Sequence, residues 1–219
     1  MPLLNVPRSP RLLNAPGLYE ERYHNQNNDV LRLYFSQLDN ALGAVLGRRG
    51  GQFLEFPYAA VQRSTNKTFT ANTATQITFD TNDFLSGCEN DGTDGIRVAQ
   101  SGIYNYQFSI QFANTDSQIH SAWVWLRVNG VDVPGTGSRW DITAKHGSSD
   151  GYVVAAANFY VELQANDTVE MWAAVAQAYV PTVSTGVYME AYPVQTTPFA
   201  MPSIPSVVAT LSFVSALPA

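Results

Sequence analysis

The residues able to do chemistry are few and scattered. His24, His120 and His146 sit in separate segments, without the spacing of a metal site or of a nucleophile and its base. Each is expected at the surface. Acid–base work by paired carboxylates would need two acidic side chains facing one another, and no such pair stands out. The densest acidic cluster, Glu89, Asp91 and Asp94 with Gly92 and Gly95, offers the oxygen ligands calcium takes. It lacks the full ligand series and the closing glutamate of a calcium loop, so it reads as a polar turn. Cys88, the single cysteine, excludes an intrachain disulfide. With no neighbouring base to lower its pKa, it reads as a buried or interfacial thiol. Asn66-Lys67-Thr68 and Asn166-Asp167-Thr168 match the glycosylation acceptor pattern, which matters only in a secretory pathway. No enzyme activity, catalytic residue, metal or cofactor is expected.

The elements around these residues point to assembly rather than catalysis. A chain of 219 residues with 45% hydrophobic content can bury one main core. A net charge of −6 with only 12 Lys and Arg argues against a nucleic-acid partner, which needs clustered cations; Arg48-Arg49 is too small a patch. Pro2, Pro7 and Pro10 interrupt the start, so no secretion signal is read there. The uncharged stretch Met171 to Met189 contains Gln177, Pro181, Thr182, Ser184 and Gly186; it is expected as strand, turn and strand, not as a membrane span.

The clearest pattern lies from Gly102 to Phe112. Tyr104, Tyr106, Phe108, Ile110 and Phe112 alternate with Asn105, Gln107, Ser109 and Gln111, a period of two that gathers the aromatics on one face of a strand. These five residues are the expected head core. Further strands are expected at Tyr58–Gln62, Thr75–Phe79, Ile96–Ala99, Ala122–Val128, Gly151–Leu163, Val169–Val180 and Val187–Tyr192. Asn129-Gly130 is a hairpin signal, because both central positions of a type I′ turn need positive φ. Trp123, Trp125 and Tyr152 or Phe159 are expected to add aromatic mass to the core. Many short antiparallel strands in one domain predict a mainly β chain, a sandwich or jelly roll spanning residues 53–194.

Outside that region the grain changes. Residues 1–26 are punctuated by proline yet carry Leu3, Leu4, Val6, Leu12, Leu13, Leu18 and Tyr19. This reads as an extended arm that orders on a partner surface, the alternative being a loose terminus. In residues 27–52, Leu31, Phe35, Leu38, Leu42 and Val45 follow one another by four, three, four and three positions, a heptad stripe. Asn27 or Asn28 is the expected cap, and Gly47, Gly50 and Gly51 the stop. The stripe predicts a short bundle of helices, or an amphipathic helix laid on its own domain. Residues 195–219 have no charge and several prolines; Val207, Val208, Leu211, Phe213, Val214 and Leu217 must find cover. That cover is another subunit, a larger assembly, or the chain's own sandwich.

The runs Gly102-Ile103-Tyr104-Asn105-Tyr106-Gln107-Phe108, Trp125-Leu126-Arg127-Val128-Asn129-Gly130, Leu163-Gln164-Ala165-Asn166-Asp167-Thr168-Val169 and Val187-Tyr188-Met189-Glu190-Ala191-Tyr192 together resemble, in their order, the globular head of the complement and tumour-necrosis-factor type. The resemblance covers about Phe56 to Val194. It implies a ten-strand jelly roll that forms a homotrimer. Pro16-Gly17-Leu18-Tyr19, Tyr34-Phe35-Ser36-Gln37-Leu38-Asp39-Asn40 and Phe56-Pro57-Tyr58-Ala59-Ala60 are similar to the start of virion structural proteins of tailed phages, notably those of cyanobacteria. That resemblance implies a virion component whose arm attaches to other tail or capsid proteins and whose head meets a host-surface glycan or protein. The loops Asp132–Ser138 and Lys145–Asp150 are the expected contacts. The chain has no long shaft, which favours a short appendage or a capsid decoration over a long fibre. A soluble carbohydrate-binding or signalling module is the alternative from another class.

Overall fold

The computed structural model describes residues 9–12, 17–18, 20–46, 56–90, 92–93, 95–177, 186–196 and 199–217. They fall into two compact units, Met1–Glu55 and Phe56–Ala219.

In the first unit one helix, α1 (Glu21–Leu46), carries the heptad stripe. It starts six residues before the expected cap, with the Glu20 carbonyl accepting from the His24 N–H. Asn27 and Asn28 are therefore interior helix residues and residues 21–26 are not part of an extended arm. Nothing between Glu21 and Leu46 is proline, so no residue of the helix lacks an N–H. Leu31 and Leu38 are partly covered, whereas Phe35 and Leu42 stand 55% and 46% exposed; the Val45 side chain lies outside the described residues. A Cβ on Gly43 would meet no atom within 4 Å. Gly43→Ala is therefore expected to favour the helix by about 1 kcal/mol, measured as a rise in far-ultraviolet circular dichroism and in the melting temperature of a peptide spanning α1. Of the expected arm contacts, Leu12 and Leu18 are 47% and 83% exposed, while Leu3, Leu4, Val6, Leu13 and Tyr19 lie outside the described residues.

The second unit is an antiparallel sandwich of the jelly-roll type, made of β1 (Tyr58–Arg63), β2 (Lys67–Thr68), β3 (Thr75–Ile77), β4 (Thr81–Ser86), β5 (Cys88–Glu89), β6 (Ile96–Val98), β7 (Gly102–Asn114), β8 (His120–Val128), β9 (Val131–Asp132), β10 (Ser138–Ile142), β11 (Gly151–Leu163), β12 (Thr168–Gln177), β13 (Val187–Met189) and β14 (Val207–Ser215). One sheet runs β11-β7-β14-β1-β4, with β13 and β2 continuing beside the far end of β7; the other is built on β10-β8-β12, with β6, β5, β3 and β9 at its margins. The chain crosses between the sheets repeatedly, among other places from β6 to β7, from β7 to β8, from β10 to β11, from β11 to β12 and from β12 to β13. The two layers close on one core.

The five alternating residues of β7 are 0–4% exposed and form the centre of that core. Phe108 touches Trp140 and Phe159 at ring-centroid distances of 6.1 and 6.3 Å. Tyr104 donates its hydroxyl to the Gln100 carbonyl at 2.7 Å, and burial pushes that phenol up to about 12. Asn129 and Gly130 both take positive φ, 50° and 78°, and join β8 to β9 as the turn chemistry requires.

Two expectations are corrected here. The C-terminal segment is not a separate tail: β14 lies inside the first sheet, paired along one side with β1 and along the other with β7, with Val207, Ala209 and Leu211 buried. Its alternation, Val207, Ala209 and Leu211 inward against Val208, Thr210 and Ser212 outward, is the same period of two that marks β7. No proline lies between Pro205 and Pro218, so nothing within the strand lacks an N–H for the ladder. Trp123, Trp125 and Tyr152 also face away from the core. Ala122, Val124 and Leu126 take the inward phase of β8, and Tyr152 is 52% exposed; of the expected pair only Phe159 packs on the core. Both phases of β8 are apolar, so its composition does not say which one is covered.

Candidate functional site

Two outward surfaces of the sandwich stand out. The first is the solvent side of the β11-β7-β14-β1-β4 sheet. Its middle strands present Ile103, Asn105, Gln107, Ser109 and Gln111 from β7, Val208, Thr210 and Ser212 from β14, and Tyr58, Ala60 and Gln62 from β1, none of them charged. Register places Tyr160, Asn105, Ser212 and Tyr58 in one cross-strand row, and Asn158, Gln107, Thr210, Ala60 and Phe84 in the next. Tyr58, Phe84, Tyr152, Val154 and Tyr160 on this side are 46–69% exposed. Carboxylates appear at the two edges, Glu162 on β11 and Asp83 on β4, the latter accepting from the Gln62 amide at 2.9 Å. An uncharged, aromatic-dotted sheet face on a chain of net charge −6 is a surface that a like-charged copy could approach without carboxylate facing carboxylate.

One end of this face is braced by Glu190. Its carboxylate accepts from the Tyr188 hydroxyl at 3.1 Å and from the Tyr192 hydroxyl, while its N–H donates to the Gln111 carbonyl at 3.0 Å. Burial and the neighbouring Glu190 charge push both phenols up, so they stay protonated donors. The cluster holds the segment after β13 against β7.

The second surface is the solvent side of β10-β8-β12. Trp125 on β8 stands opposite Trp172 on β12, Trp123 opposite Ala174, and Arg139 on β10 opposite Trp123. The Arg127 guanidinium lies 4.0 Å from the centroid of the Trp172 ring, and that of Arg139 lies 5.6 Å from Trp123. Asp132 accepts from the Trp125 indole at 2.7 Å and from Arg127 Nε at 2.6 Å; Glu170 accepts from the Trp172 indole at 2.7 Å. Asp141 accepts from Arg139 at 2.8 Å and from the Ser121 hydroxyl at 2.6 Å. The Arg127 and Trp125 bonds hold the Asp132 carboxyl below the usual range, and those from Ser121 and Arg139 do the same at Asp141. The reading of the residue pattern missed this surface. The spacing Trp123-x-Trp125-x-Arg127 is its sequence signal, masked by the equally apolar alternate phase.

The dispersed polar residues take structural roles. His120 is not at the surface: it is fully buried, with Nε2 donating to Asp116 Oδ2 at 3.0 Å and Nδ1 buried without a partner. Burial raises the Asp116 carboxyl, but the bonds from His120 and from the Ser117 and Gln118 N–H groups outweigh it and hold the group low. Asn114, also buried, bonds the Gln118 and Thr143 carbonyls at 2.8 and 3.0 Å and accepts from the Asp116 N–H. His24 and His146 are exposed. Cys88 is buried, and burial pushes its thiol up to about 11, away from reactivity. Asp91 and Asp94 lie outside the described residues, and among those described no group of His, Cys, Asp and Glu is placed to hold a metal. Of the expected contact loops, Asp132 belongs to β9 and to the Trp surface, Ser138 opens β10, and residues 143–150 carry the isolated bridge between His146 and Ser149. No described helix is long and apolar enough to cross a membrane.

No protein-family model and no curated protein matches this chain. Among solved structures it is similar to the globular domain of zebrafish complement 1qA protein, with 10% identity over 74% of this chain and 100% of that chain, at a TM-score of 0.40. A likeness that slight adds nothing to the strand order and register given above.

Proposed function

We propose that three copies of this chain associate about one axis through the uncharged face of the β11-β7-β14-β1-β4 sheet and the apolar stripe of α1. The trimer is a structural component of a tailed-phage virion, attached by its N-terminal segment and displaying jelly-roll heads for host-surface contact. The uncharged sheet face carries the reading, because among the described residues it is the one broad surface of the head on which aromatic side chains stand exposed with carboxylates only at the rim. Once the heads are held together, the local concentration of each helix for its neighbours is high, and a stripe too short to associate alone becomes stable. The virion role is supported by the sequence resemblance of residues 16–19, 34–40 and 56–60 to tailed-phage structural proteins, and by the exposed Leu12 and Leu18 in the attachment segment.

The test is a deletion of Met1–Tyr19. The shortened protein is expected to sediment as a soluble trimer and to be missing from purified particles. A truncated protein that still co-purifies with particles removes the anchoring role, and a monomeric full-length chain removes the trimer. Labelling the bound protein in particle images then separates a tail position from a shell position, the latter replacing host contact with clamping of capsid subunits.

A further inference from the structure

Three of the four tryptophans of this chain stand on the solvent side of β8 and β12, on the sheet opposite to the face assigned to assembly. We propose that this surface binds a neutral glycan chain, with Trp123 and Trp172 as stacking walls, Ala174 as the floor between them, and Arg139 and Asp141 as hydrogen-bonding partners for sugar hydroxyls. The inference deepens the host contact proposed above and rests on that reading for its setting, moving the contact from the loops to the sheet.

Geometry sets the shape. Trp123 faces Ala174 across the strand pair, and Trp172 lies two residues from Ala174 on the same side of β12, so the two indoles are diagonal neighbours over a methyl group. Such diagonals are about 7–8 Å apart, room for an apolar ring face between flat side chains. All three indoles are partly exposed. The apolar C–H face of a pyranose stacks on such a ring without giving up any hydrogen bond to water.

Charge selects the class of ligand. The cluster holds two guanidinium groups, Arg127 and Arg139, and three carboxylates, Asp132, Asp141 and Glu170, and each is already bonded to another member or to an indole N–H. An anionic polymer would meet a surface with one more carboxylate than guanidinium, and both guanidinium charges are already neutralised by Asp132 and Asp141. A cationic partner would find those two carboxylates already paired with arginine. A neutral polyol needs no unpaired charge. Arg139 has N–H donors beyond the two on Asp141 Oδ1, and the second oxygen of that carboxylate has lone pairs to accept a hydroxyl. Hydroxyls add to the network without displacing its ion pairs.

The full-length protein is titrated with neutral gluco-, manno- and galacto-hexasaccharides and, separately, with a heparin hexasaccharide, read by tryptophan fluorescence and calorimetry. At least one neutral sugar is expected to bind saturably and heparin not to bind. Trp123→Ala is expected to weaken binding about tenfold or more. Ala174→Arg, which fills the floor and leaves every indole in place, does the same and covers the case in which the tryptophan variant folds poorly. Absence of binding to all three neutral sugars overturns the proposal, as does preference for heparin or binding that survives Ala174→Arg. Sedimentation of the same samples reports assembly independently: a monomer that binds sugar removes only the trimer, and a trimer that binds none removes only the glycan site.

Discussion

A chain ending at Pro205 does not fold its head. The missing strand, β14, is internal to its sheet, hydrogen-bonded to β1 from Tyr58 to Arg63 and to β7 from Ile103 to Ile110. Its loss opens two new edges and uncovers the core beneath Val207 and Leu211, which are 1% and 0% exposed. Each large apolar side chain taken from such a site removes roughly 1.5–3 kcal/mol, and the unpaired ladders add further loss against a typical total stability of about 5–15 kcal/mol. Thermal melting followed by near-ultraviolet circular dichroism is expected to show no cooperative transition in the truncated chain. Leu211→Ala is the graded version: it leaves the ladder intact and is expected to destabilise by about 2–5 kcal/mol with the transition preserved. A truncated chain melting like the full-length one would show that β14 is dispensable.

The second large effect is on assembly. Tyr160 and Tyr58 lie in one cross-strand row with Asn105 and Ser212 between them, and they are 65% and 46% exposed. Replacing both with aspartate puts two carboxylates on a face whose middle strands have none. In a free head these charges stay in water and stability is little changed. In a trimer they are buried without partners, which costs several kcal/mol; about 4 kcal/mol is a thousandfold in association. Sedimentation equilibrium is expected to give a monomer for the Tyr58→Asp, Tyr160→Asp variant and a trimer for Tyr58→Phe. A doubly substituted protein that remains trimeric places the interface elsewhere on the molecule.

Burial withdraws Cys88 and His120 from solvent chemistry, and Asp132 and Asp141, two carboxylates held below their usual range, are tied to arginines, an indole and a hydroxyl. The head carries exposed or half-exposed aromatic side chains on two opposite faces, one without charge on its middle strands and one with its charges internally paired.

The strand β7 and its buried row were legible because alternation over eleven residues has only one structural solution, and the Asn129-Gly130 turn because few residue pairs tolerate two positive φ values in succession. The heptad stripe likewise marked a helix, though not its start, since Glu21 to Gln26 belong to the helix but carry no stripe. The orientation of β8 and the place of β14 had to wait for the folded chain. A strand with two apolar phases, such as Ala122-Trp123-Val124-Trp125-Leu126, declares that it has two faces but not which one the opposite sheet will cover. The gap between β1 and β7 is filled by a segment about a hundred or more residues downstream of both, and no local pattern encodes a partner at that distance. Periodicity is a property of neighbours along the chain and was readable there; burial and strand order are decided by which distant surfaces fit, and so belong to the tertiary structure alone.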